Sequence, residues 1–187
     1  MGGLLIAAVG GTVFVFVNTR SPLNPAIVVV LRVLAAIILA CMVAMWFLTV
    51  RRLRTGGGSP EQTPGPRGRS PFSRGYWLVV IAEVVLLFGG LALLRTWGLP
   101  EQANIAWVAF VVGVHFIALG PVWKENSIMV LGAIITVLGV IGFVMAATTA
   151  LAWVPFVSGV LSGVTLLVGC SVFAWQMSTQ VTMSPRP

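Results

Sequence analysis

Six runs of apolar residues fill most of this chain: Gly2–Val17, Ala26–Val50, Tyr76–Leu94, Ala103–Trp123, Ile128–Thr148 and Trp153–Gln176. A helix needs about 20 such residues to cross the hydrocarbon core of a bilayer. No water reaches an open backbone there, so each run must close its hydrogen bonds internally, as a helix. Composition points the same way. Hydrophobic residues make up 58% of the 187 and charged residues only 8%, whereas a soluble domain carries about a quarter charged residues. The chain therefore reads as all-α, a polytopic transmembrane helical bundle of about six spans. The first run, at about 16 residues, is near the lower limit for crossing. No basic residue precedes it and no small-residue cleavage site follows, so it reads as a retained span.

The breaks divide the chain. Asn18-Thr19-Arg20-Ser21-Pro22 ends the first run, and Gly120-Pro121 followed by Lys124-Glu125-Asn126 ends the fourth. The one long polar stretch carries Arg51, Arg52, Arg54, Arg67, Arg69 and Arg74 against Glu61, and is rich in Gly, Pro and Ser. Such a segment cannot bury apolar area and is expected to be disordered. Gly56-Gly57-Gly58 within it follows no strand and precedes no Gly-Lys-Ser, so it is no phosphate loop. The expected organisation is a transmembrane hairpin over 1–50, a basic linker over 51–75, a four-span bundle over 76–177 and a polar tail over 178–187.

The net charge of +7 lies mostly in that linker. Beside membrane spans it serves as an orientation signal and attracts anionic lipid head groups along Arg51–Arg74. No aromatic or folded reader accompanies the arginines, so nucleic acid is not the expected partner. With six spans, the linker, Lys124 and Arg186 put eight basic residues on one side, and Arg20 and Arg95 put two on the other. The basic side is cytoplasmic, which places both termini there.

Few ionisable groups lie inside the runs, and these are the candidate functional residues. His115, the only histidine, sits in the fourth span and Glu83 in the third. Counted from the cytoplasmic side, Glu83 is roughly 10 Å deep and His115 roughly 12 Å. The two spans are joined by a short turn, so the residues can face each other at one level. A lone carboxyl in lipid would hold its proton; beside a histidine it can form an ion pair or a neutral hydrogen-bonded pair. Such a pair serves either as a proton relay or as a polar lock between helices. Arg32, near the start of the second span, is expected to snorkel to the interface, with Glu101 on its own side as counter-charge. Ala36, Ala40 and Ala44 form a small-residue line, and Gly159 and Gly163 a GxxxG pair; both patterns let helices approach closely. Cys41 and Cys170 make no CxxC or Cys/His spacing. One His and no Asp cannot build a Ser-His-Asp triad or a multi-histidine metal site, and no cofactor motif is present.

The stretch Gly113-Val114-His115-Phe116-Ile117-Ala118-Leu119-Gly120, with Leu131-Gly132 and Leu138-Gly139, resembles uncharacterised bacterial multi-span integral-membrane families with a GxHFxxL signature. The resemblance covers roughly the last 80 residues and part of the N-terminal GTVFVFVN. It implies a bacterial plasma-membrane protein with His115 at a signature position, and it implies no activity. Two classes of function stand open. One is a non-enzymatic structural or accessory protein acting with a protein partner or a second copy. The other is a small-solute or proton-coupled transporter using Glu83 and His115.

Overall fold

A computed structural model describes residues 2–55 and 74–183. Among them every regular element is helical: α1 (Gly2–Asn18), α2 (Pro25–Thr55), α3 (Arg74–Thr96), α4 (Glu101–Trp123), α5 (Asn126–Ala146) and α6 (Leu161–Met183). A 3₁₀ turn over Leu151–Trp153 and a π-helical turn over Pro155–Val160 lead into α6. Five helical segments are long and apolar enough to cross a bilayer, and the chain is a multi-pass membrane protein. α1 is apolar but shorter, with 17 residues, or roughly 25 Å of helix.

Several helices run past the ends that composition suggests. α2 continues through Arg51–Thr55 and α3 begins at Arg74, so the polar stretch contributes helix at both ends. Arginine is a good helix former, and a helix already built in lipid extends readily into it. Residues 56–73 of the linker lie outside the described residues. α4 passes through Gly120-Pro121 and stops at Lys124, which takes a left-handed conformation (φ 58°) and donates its N–H to the Gly120 carbonyl. The tail is helical as far as Met183, and residues 184–187 lie outside the described residues.

The helices are not equivalent. α1, α4, α5 and α6 form the inner packing body, while α2 leans mainly on α1 and α3 on α4. Only 11% of the apolar stretch of α2 and 6% of that of α3 are buried, against 44% over the segment Leu151–Gln176 that leads into and includes most of α6. Large apolar side chains such as Ile37, Phe47, Ile81 and Phe88 therefore point outward, where lipid is their solvent.

Inside the body, glycine sets the spacing. α4 and α5 lie so close that a Cβ on Gly113 would meet the backbone of Thr136 and one on Gly132 would lie 2.7 Å from the Gly113 carbonyl. α1 and α6 do the same, with a Cβ on Gly11 placed 2.9 Å from the Gly163 carbonyl. No hydrophobic force draws helices together in lipid; close packing does, and small residues permit it. Around these crossings pack Ala8, Val15, Ala35 and Leu167 on one side and Ala109, Ile135 and Leu166 on the other.

Candidate functional site

α3 meets α4 in an antiparallel seam with three levels. At one end the ring of Tyr76 stacks on Trp123, with centroids 6.2 Å apart. In the middle, Glu83 Oε2 lies 3.0 Å from His115 Nδ1. At the other end Trp107 lies on Gly90, where any Cβ would strike the indole, and its Nε1–H donates to the Leu86 carbonyl at 3.0 Å. The spacing follows from helix geometry. Tyr76, Glu83 and Gly90 recur every seven residues, about two turns, and so lie close to one face of α3. Trp123, His115 and Trp107 recur every eight, two turns and roughly 80° more at each step, so the levels match in height while the α4 side chains reach the seam from successive directions round their helix.

The middle level is polar but closely held. His115 and Glu83 side chains are 13% and 25% exposed, so the carboxylate sits nearer the outer rim of the seam. The His115 Nδ1 atom itself is buried. Its 3.0 Å approach to the carboxylate has ion-pair distance but lacks the alignment of a good ring N–H hydrogen bond. The edge of Phe116 also packs against the imidazole, centroids 5.6 Å apart. The pair can share or hold one proton. Among the described residues no three His, Cys, Asp or Glu side chains gather as a metal site would require.

Arg32 is placed differently from the sequence expectation. Its Nε donates to Thr19 Oγ1 at 2.8 Å, and one Nη2 donates to the carbonyls of Phe16 (3.1 Å) and Thr19 (3.0 Å). The guanidinium also lies over the Phe16 ring, 5.8 Å from its centroid. Its counter-charge is thus the carbonyl end of α1, not Glu101. The last turn of a helix leaves carbonyls unpaired and carries partial negative charge, which a cation satisfies. Glu101 instead lines a cavity of about 620 Å³ at the end of the bundle where the three short turns meet, together with Arg20 and Arg95.

The small-residue patterns separate. Gly159 and Gly163 both face α1: a Cβ on Gly159 would run into Asn18, and one on Gly163 would lie 2.6 Å from the Gly11 carbonyl. Ala36 and Ala40, by contrast, are exposed. α2 packs inward through Ala35 and Met42, flanked by Leu31, Ile38 and Leu39. Ala36 lies one residue, or about 100°, round the helix from Ala35, and so the line points away from the body. Cys41 is exposed and Cys170 buried, both as free thiols.

Some polar features have no counterpart in the sequence reading. Ser158, fully buried in the π-helical turn, donates across to the Leu138 carbonyl at 2.8 Å. Asn18 donates to the Phe14 carbonyl at 2.8 Å. A Ser or Asn near a helix end carries no mark of its partner, and only the Trp107 indole could have been singled out, as a donor in an apolar span that needs an acceptor. No protein family, curated protein or solved structure matches the chain.

Proposed function

We propose that this chain is a non-enzymatic structural or accessory protein of the bacterial plasma membrane, with both termini cytoplasmic. The observation that carries the reading is the Glu83–His115 contact. It lies in the seam that holds the peripheral helix α3 to the body, at 3.0 Å and with the Nδ1 atom buried. The large cavity opens at the turn end of the bundle, and neither residue lines it. A contact built this way fixes a helix; a relay needs further groups to hand its proton to. The eight-to-two division of basic residues supports the orientation, the linker arginines supply attraction to anionic head groups, and the resemblance to GxHFxxL families supports the bacterial setting. An accessory role acts on another protein or a second copy in the same membrane.

The test is reconstitution of the full chain in liposomes loaded with a pH-sensitive dye. Under an imposed proton gradient and membrane potential, wild type and Glu83→Gln should leak at the same rate as empty liposomes. Both Glu83→Gln and His115→Ala should lower resistance to unfolding. A proton flux in wild type that disappears in Glu83→Gln would establish transport and remove the proposal.

A further inference from the structure

The cavity at the turn end is assembled from three separate parts of the chain: Arg20 from the α1–α2 turn, Arg95 and Glu101 from the helix ends on either side of the α3–α4 turn, and Pro155 from the entry to α6. Its volume of about 620 Å³ is within the usual range of small-molecule sites, about 300–1,000 Å³. Among the described residues neither guanidinium is ion-paired. Two arginines against one glutamate leave an excess of one positive charge in the cavity. The first turn of α4 also opens onto it through Glu101, Gln102 and Asn104. No side chain caps that turn; the Ala103 amide is taken by the Pro100 carbonyl at 2.9 Å, which leaves the amides of Glu101 and Gln102 at the positive dipole end. Arginine's planar fork matches the oxygens of a phosphate, and helix amides bind the same anion.

The surroundings set the level in the membrane. Trp97 is 67% exposed and Trp153 44%, on two of the turns that frame the cavity. Exposed tryptophans at helix ends settle among lipid head groups. We infer that this cavity is a binding site for a phosphate anion held between Arg20 and Arg95. The phosphate reaches it either as the head group of an anionic phospholipid or as a free ion from the water phase. None of the cavity's lining residues belongs to the Glu83–His115 seam.

The experiment is calorimetric titration of the full chain in neutral maltoside micelles. The probes are short-chain phosphatidylglycerol in one arm and inorganic phosphate in the other. Heat from the lipid alone identifies a head-group site, and heat from both identifies a general phosphate site. In either case Arg20→Gln and Arg95→Gln should each weaken binding about ten-fold, as loss of a charge-assisted bidentate contact does. Glu101→Gln should tighten it by removing the one repelling charge, and Arg67→Gln/Arg69→Gln in the linker should leave it unchanged. If a glutamine variant fails to fold by circular dichroism, Arg20→Lys/Arg95→Lys carries the test. It keeps the charge, loses the fork, and should bind with intermediate affinity. The inference is overturned if neither probe binds at millimolar concentration, if the arginine variants bind like wild type, or if only the linker variant loses affinity.

Discussion

Arg32→Met isolates what the guanidinium does for α1. Methionine keeps much of the aliphatic stem that packs along the helix and removes the three donated bonds to Thr19 Oγ1, the Phe16 carbonyl and the Thr19 carbonyl. Side-chain hydrogen bonds between membrane helices average about 0.6 kcal/mol, with a maximum of about 1.7. Three at the mean come to about 2 kcal/mol. The cation at a helix C-terminus adds about 0.3–1 kcal/mol. Water and head groups near the interface will solvate part of the freed carbonyl charge, so the expected loss is about 2 kcal/mol. Arg32→Lys keeps the charge and a single reachable donor, and should recover about half. The assay is equilibrium unfolding in mixed micelles, followed by tryptophan fluorescence, with Thr19→Val completing a double-mutant cycle. The cycle should show a coupling of about 0.6 kcal/mol or more between Arg32 and Thr19. A loss below about 0.5 kcal/mol in Arg32→Met, which is the range of ordinary surface changes, would refute the staple. So would zero coupling.

Other expectations follow from the packing. Gly132→Leu should destabilise by about 3 kcal/mol or abolish folding, since its side chain would occupy the space of the Gly113 carbonyl and Phe116; retained stability in the same unfolding assay would contradict the α4–α5 contact. Ala36→Leu and Ala40→Leu point outward and should change stability by less than about 0.5 kcal/mol; a larger loss, measured the same way, would mean that this face is covered. Trp107→Phe removes the bond to the Leu86 carbonyl while keeping most of the ring on Gly90, and should cost about 0.6–1.7 kcal/mol. Combined with Glu83→Gln it should loosen α3, seen as faster cross-linking between cysteines placed on α3 and on a lipid-facing position of α5.

What could be read without coordinates depended on periodicity. Apolar runs specify helices because lipid permits little else, and the fixed rise of 1.5 Å per residue puts Glu83 and His115 at one depth once their helices are adjacent. Adjacency between α3 and α4 came from a short turn. Contacts between helices far apart in sequence have no such mark. Arg32 reaches the end of α1 because the α1–α2 turn folds back, and nothing in its surrounding residues distinguishes that carbonyl cage from a carboxylate partner. The Ala36/Ala40/Ala44 line shows the same limit: spacing defines a face, but only the position of α1 decides that Ala35 turns inward. The helix ends shifted for a local reason, since apolarity stops at Val50 while helix propensity persists through the arginines. The π-helical turn at Pro155–Val160 has no sequence signature beyond its proline; it positions Ser158 toward Leu138 and Gly159 beneath Asn18.

The pairing of α1 with α6 has a consequence for biosynthesis. α1 finds its principal partner in α6, with Gly11 against Gly163 and the Cys170 thiol on the Leu4 carbonyl. At about 5–20 residues per second, the roughly 150 residues between them take on the order of ten to thirty seconds to synthesise. Throughout that interval α1 sits in the bilayer with its glycine face and Thr12 turned toward lipid. A product truncated before α6 never closes that face, and α6 is the segment whose arrival takes it out of lipid.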